Sequence, residues 1–284
     1  MYSSPASASV EDSIASSKQI LLMRLAHDQE IAMDLNEFSR AEPGSVLEQD
    51  DRALGGYPLT ALVLDLLTTA AHLSDNLRQL IVVETKDGPN ITAPLHGPYS
   101  LVRAHLEATS QALWLMAPTA RKARIKRCIR HWLNEVKLLN GFQMEWSKSF
   151  ATPKPVSFED LRVIAAGASL PIEGFPAGKD WKPAGSGDIL KSLEFAHEGP
   201  TTTWFNAWQI CSGFAHGKQW ASMMFNARTS ASDDEEGSDP VDELSTSLPV
   251  LASLVHEAGL LFDEAAGRYG QLSTTPDAVW PPRH

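Results

Sequence analysis

Residues 58–84, PLTALVLDLLTTAAHLSDNLRQLIVVE, decide the fold. Leu62, Val63, Leu64, Leu66, Leu67 and Leu73 recur at helical spacing and leave the segment apolar on most sides, so the spacing predicts a central helix. Pro58 suits the first helical turn, where its missing N–H costs nothing. Upstream, Ile14, Leu21, Leu22, Leu25, Ile31, Leu35 and Phe38 repeat at the same period and predict a helix over 13–38. The stretch between them, with Pro43-Gly44 and Gly55-Gly56, reads as a loop.

Downstream, Lys86-Asp87-Gly88-Pro89-Asn90 reads as a turn, followed by helices over 98–117 and 119–147 that Pro118 separates. Residues 148–200 form an irregular connection rich in Pro and Gly, with short helices at 158–168 and 188–197. Two further helices are expected over 201–221 and 241–269, the last closed by Gly270. Trp220–Phe225 is the one apolar stretch that could alternate as a strand, and no internal repeat is present. The expected fold is therefore all-α: a single helical bundle of five to six long helices in one domain, residues 13–270. Residues 1–12 are expected as a mobile lead-in, 228–241 as an acidic loop, and 271–284 as a tail.

The 284 residues are 43% hydrophobic and 21% charged, which excludes wholesale disorder. A formal net charge of −11 argues against a nucleic-acid binder held by bulk charge. Two cysteines, Cys128 and Cys211, are too few for a disulfide framework. No run approaches the roughly 18 apolar residues of a membrane span, and the N-terminus lacks the basic start and apolar centre of a secretory signal. These features predict a soluble, cytoplasmic protein of bacterial type with no membrane partner. Charge is uneven, however. Seven acids crowd residues 233–243, and six bases, from Arg121 to Arg130, open the helix at 119–147.

Three groups of residues carry chemistry. On the basic helix, Ile125, Cys128, Ile129, Trp132, Val136 and Leu139 share one arc, with Arg124 and His131 at its edge and Arg127 one turn before His131. An arginine that holds a phosphate beside a histidine that moves its proton is a workable ribonuclease arrangement. On the preceding helix, Ser100, Arg103, Glu107, Gln111 and Trp114 form a narrow polar stripe, with Arg103 and Glu107 an i, i+4 ion pair. On the helix at 201–221, Ser212 and His216 stand one turn apart, opposite an apolar face that includes Trp204 and Trp208. Gly213 beside them predicts a close approach by another group. The two polar stripes are expected to face each other, making Arg103, Glu107, Ser212, His216 and Trp114 a candidate ligand site. No metal or cofactor is expected: phosphate-loop and dinucleotide glycine motifs are absent, and nothing in the spacing of His72, His105 and His256 requires a three-histidine site.

The run Tyr99-Ser100-Leu101-Val102-Arg103-Ala104-His105-Leu106-Glu107-Ala108, then Trp114-Leu115 and a basic helix, resembles a group of all-helical actinobacterial proteins with the pattern Y-S-L-x-R-A-x-L-E-A. Ser212-Gly-Phe-Ala-His-Gly217 is similar to that group's later S-x-x-x-H-G helix. The group implies a helical fold and no particular activity. It is similar in outline to HEPN-type proteins, whose ribonucleases carry Arg-x(4–6)-His, matched nominally by Arg124 and His131 with Ile125 where a polar residue is usual. Two functions follow as expectations. One is a non-catalytic helical module that senses a ligand or binds a protein partner. The other is a HEPN-like, metal-independent ribonuclease or nucleic-acid-responsive defence protein acting on RNA through Arg124, Arg127 and His131. A homodimer would bring two basic strips together in the second case.

Overall fold

A computed structural model describes residues 10–37, 39–146, 157–194, 197, 202–230 and 242–275. The described residues are mostly helical, with only four short strands among them, which sets the class as all-α. In chain order the helices are α1 (Val10–Glu37), α2 (Val46–Leu54), α3 (Leu59–Ile81), α4 (Gly97–Met116), α5 (Arg121–Trp146), α6 (Phe158–Gly167), α7 (Ser186–Leu193), α8 (Trp204–Ala215), α9 (Gln219–Phe225) and α10 (Leu248–Ser273). Strands β1 (Val82–Thr85) and β2 (Gly88–Ile91) form one antiparallel hairpin, and β3 (Asn226–Ser230) pairs with β4 (Asp242–Thr246). No single helix among the described residues is long and apolar enough to cross a membrane.

Two compact units divide the chain. Unit 1 takes residues 1–34, 67–109 and 194–264, and unit 2 takes 35–66, 110–193 and 265–284. Helices α1, α3, α4 and α10 contribute residues to both. In unit 1 the buried side chains include Leu21, Leu25, Leu77, Leu106, Trp204, Phe214 and Phe262. In unit 2 they include Leu47, Leu54, Ile125, Ile129, Leu161, Trp181 and Tyr269. Each leucine, isoleucine and phenylalanine among them contributes about 1.5–3 kcal/mol of apolar burial.

Several expected boundaries move, each for a local reason. The helix expected over 58–84 stops at Ile81. Val82 and Val83 favour extended backbone, and the two-residue loop Lys86-Asp87 folds the chain back so that Val82 faces Ile91 and Thr85 faces Gly88. Helix α3, expected to be apolar on most sides, exposes Ala61, Asp65, Thr69, His72, Asn76 and Gln79 along one stripe. The most buried helix is α4, whose residues 112–116 are all enclosed.

The loop expected at 39–57 contains α2. Ser45 caps it by accepting the Glu48 amide at 3.3 Å, and Glu48 reaches back to the Gly44 amide at 3.2 Å. The helix expected over 201–221 breaks at His216-Gly217-Lys218 into α8 and α9, so Trp220–Phe225 is helical and not a strand. The last helix starts at Leu248 instead of 241, because residues 242–246 pair with β3 as β4.

Of the expected lead-in, residues 1–9 lie outside the described residues, while 10–12 begin α1. The acidic run lies outside them too, except Asp242 and Glu243 in β4, as does the tail from 276 onward.

Candidate functional site

In unit 1, α4 presents Arg103 and Glu107 one helical turn apart, and the chain at the end of α8 presents His216. Arg103 Nε donates to Glu107 Oε1 at 3.1 Å, and Arg103 Nη1 donates to His216 Nε2 at 2.9 Å. An arginine has no lone pair to offer, so the imidazole accepts at Nε2. Trp208, on α8, donates its indole N–H to the same Glu107 oxygen at 2.8 Å, and its ring lies 5.9 Å from the Arg103 guanidinium carbon. The guanidinium is thus fixed at two of its nitrogens. The group is open to water, with Arg103 24% and Glu107 31% exposed.

Arg103, Glu107 and His216 are therefore brought together, on two helices far apart in sequence. Ser212 joins through its backbone, its carbonyl accepting the His216 amide at 3.1 Å. The approach expected at Gly213 is made by α9: a Cβ there would lie 2.7 Å from Trp220 Cζ2 and 2.8 Å from the Ala221 Cβ. The apolar character of its ring groups Trp208 with the apolar face of its helix in the sequence. Its spacing of four from Ser212 and eight from His216 is the sequence signal that puts it on the polar side.

Trp114 belongs to unit 2, where it meets the basic helix. Arg127 lies 4.6 Å and Arg130 5.5 Å from its ring centre, and Arg127 Nη1 also donates to the Trp114 carbonyl. Burial pushes both guanidinium groups below their ordinary range. Arg124 is spent on other partners. Its Nε and Nη2 bind the two oxygens of Asp50 at 2.6 and 3.2 Å, and its Nη1 donates to the carbonyls of Pro118 and Thr119 at 2.9 and 2.8 Å. Asp50 is fully buried, and that burial pushes its carboxyl upward against the pull of Arg124 and Arg121. His131 Nδ1 accepts from the Gln111 amide at 2.6 Å, and burial pushes its imidazole below the usual range. Arg124, Arg127 and His131 thus hold three separate partners: Asp50, Trp114 and Gln111.

A second polar group in unit 1 was not read from the sequence. Arg24 on α1 donates from Nε to Asp28 at 2.8 Å and from Nη1 and Nη2 to Asp263 on α10 at 2.8 and 3.0 Å. Ser74 on α3 donates to the other Asp28 oxygen at 2.5 Å, and His27 Nε2 lies 3.2 Å from Asp263. Asp28, Ser74 and His105 line a cavity of about 10 Å3, the space one water molecule requires. His105 is buried with both ring nitrogens unpaired, and burial pushes its pKa down to about 4. Its ring meets Phe262 edge-on at 5.3 Å. Among the described residues no three of His, Cys, Asp and Glu stand together as metal ligands, so His72, His105 and His256 do not gather. Both cysteines are buried and free, and burial pushes their thiols far up.

The chain matches no protein family, no curated protein and no solved structure.

Proposed function

We propose that this protein is a non-catalytic helical module that senses a small anionic ligand, with Arg103 as the recognising group and Glu107, Trp208 and His216 as the residues that hold it. A cytoplasmic setting is part of the proposal. The observation that carries it is the state of the Arg103 guanidinium. Two nitrogens are fixed by Glu107 and His216, Nη2 has no hydrogen-bond partner among the described residues, and the side chain remains 24% exposed. A guanidinium so oriented is suited to a carboxylate or phosphate, which it meets with paired N–H donors.

Sensing follows from the position of His216. This residue caps α8 and begins the turn into α9. An anion that takes Arg103 Nη1 displaces the imidazole, and the displacement acts on the α8–α9 turn. The ribonuclease alternative is the weaker reading. A phosphate arriving at Arg124 would have to displace the buried Asp50 carboxylate and two carbonyls.

Thermal unfolding of the wild type and of Arg103→Ala, each with citrate, succinate and inorganic phosphate, tests the proposal. At least one anion should stabilise the wild type and leave Arg103→Ala unmoved; saturating ligand at a hundred times its Kd contributes about 2.7 kcal/mol. Equal responses in the two proteins, or no response in either, would refute it. RNA cleavage that disappears in His131→Ala would replace it with the ribonuclease reading.

A further inference from the structure

Residues 174–183, GFPAGKDWKP, sit in what reads from sequence as irregular connection, yet in unit 2 they form a braced wall. The Gly178 amide donates to the Gly174 carbonyl at 2.5 Å, and the Trp181 amide donates to the Gly178 carbonyl at 2.9 Å. This winds Lys179–Trp181 into a 3-10 turn. Trp181 is fully enclosed and meets Phe175 edge-on at 5.0 Å. Helix α5 holds the wall from outside. Arg130 donates to the Lys182 carbonyl from Nε at 2.8 Å and Nη2 at 2.5 Å, while Lys126 lies 5.6 Å from the Trp181 ring centre and 3.6 Å from Asp180.

Between this wall, α5 and α6 lies a cleft of about 500 Å3. That volume falls within the range of small-molecule sites, which runs from about 300 to 1,000 Å3. Its open apolar surface comes from Phe158, Pro176, Ala177 and Pro183, backed by the buried Leu133 and Trp181, and its charge from Lys137, Lys179 and Lys182. No acid lines it. All three lysines are exposed, and none has a carboxylate within salt-bridge distance among the described residues. In a chain of net charge −11, three unpaired ammonium groups around one apolar hollow form a local field of the opposite sign.

We infer that this cleft is a binding site for a small amphipathic anion, an apolar body carrying a carboxylate, phosphate or sulfonate head. The apolar residues receive the body, and Lys137, Lys179 and Lys182 receive the head as point charges rather than as a fixed fork. The bracing by Arg130 and Lys126 holds the hollow open before the ligand arrives, which lowers the ordering cost of binding. This site stands apart from the Arg103 reading, since every residue that forms it belongs to unit 2.

The test is calorimetric titration of the full chain with decanoate, its neutral analogue decanol and the cation decyltrimethylammonium, each as monomer in solution. The triple variant Lys137→Glu, Lys179→Glu, Lys182→Glu is titrated beside the wild type. Its substitutions lie at exposed positions, so its melting temperature should equal the wild type's. Decanoate should bind the wild type saturably at one site, at least tenfold more tightly than decanol, with no measurable binding of the cation. The triple variant should lose at least tenfold in decanoate affinity, and added salt should weaken the wild-type complex. Arg103→Ala should bind decanoate as the wild type does. Decanoate affinity in the triple variant within twofold of wild type, equal affinity for decanol, absence of saturable binding, or loss of binding in Arg103→Ala would each overturn the assignment.

Discussion

Arg24 occupies the space in which a side chain at Gly259 would stand: a Cβ there would lie 2.1 Å from Arg24 Nε and 2.3 Å from its Cδ. Gly259 lies within α10 at the level where the guanidinium of α1 crosses to reach Asp263. A glycine inside a helix costs about 1 kcal/mol relative to alanine, so this one is retained against propensity.

Gly259→Ala should therefore destabilise, although alanine is the better helix former. The methyl pushes Arg24 off at least one of its two carboxylates, and a buried pair broken on one side costs about 3–5 kcal/mol. Urea denaturation measures the change. A variant as stable as the wild type would mean that Arg24 finds another route to Asp28 and Asp263.

His105 sets a pH dependence of definite sign. Its folded pKa is about 4 against an ordinary 6.5, so between those values the unfolded chain binds more protons than the folded one. Stability is complete above pH 6.5 and falls as pH drops toward 4, by up to about 3 kcal/mol at 1.36 kcal/mol per pKa unit. The Asp28 and Asp263 carboxylates partly offset the burial, and Arg24 adds to it. His131, also lowered by burial, acts in the same direction. Urea midpoints between pH 4 and 7 should be flatter for His105→Leu, and parallel profiles would show that His105 does not titrate in this window.

The helices were legible where the apolar period ran unbroken: α1, α4 and α5 start and stop within a few residues of expectation. Helix α2 was lost because two glycine-containing pairs bracket it, although Ser45-x-x-Glu48 carried the signature of a capped start. Strands β1–β4 are not legible, because four or five residues give alternation too little length to register, and β4 directly precedes α10 in the chain. The Arg103–Glu107 pair was legible as i, i+4, and the polar stripe carrying His216 as its counterpart. The Arg24 group was not, since its closing partner, Asp263, lies 239 residues away. Arg124 and His131 share a helix edge as expected, yet the residue that occupies Arg124 is Asp50, on a helix read as loop.

Both thiols should resist alkylation in the folded protein. Cys128 and Cys211 are fully buried, and burial holds them as thiols rather than reactive thiolates. Iodoacetamide at pH 8 should label neither within the time that labels both in urea. Rapid labelling without denaturant would show that the packing around them opens easily.

Asp50 and Arg124 should behave as a structural pair. Arg124→Ala leaves a fully buried carboxylate with its principal partner gone, which costs about 3–5 kcal/mol. Adding Asp50→Asn removes the stranded charge and should restore part of the loss. A double-mutant cycle by urea denaturation reads the coupling. Additive losses would show that Asp50 does not depend on Arg124.

The Arg103 group should show the reverse: little effect on folding and a large effect on ligand response. Its ion pair is partly hydrated, and pairs of that kind contribute about 0–1 kcal/mol. Arg103→Lys keeps the positive charge but replaces a planar fork with one ammonium on a flexible stem, which cannot hold Glu107 and His216 together in the same geometry. Glu107→Gln keeps an oxygen for the Trp208 N–H but removes the charge that orients Arg103 Nε. Each variant should unfold within about 1 kcal/mol of the wild type, while its anion-induced rise in melting temperature falls several-fold. His216→Ala should act oppositely, since it removes the group that competes with the ligand for Nη1, and the same anion should then bind more tightly. Thermal unfolding with and without ligand measures all three. An Arg103→Lys response equal to wild type would mean that charge alone is recognised, and a His216→Ala response below wild type would mean that the imidazole contacts the ligand instead of yielding to it.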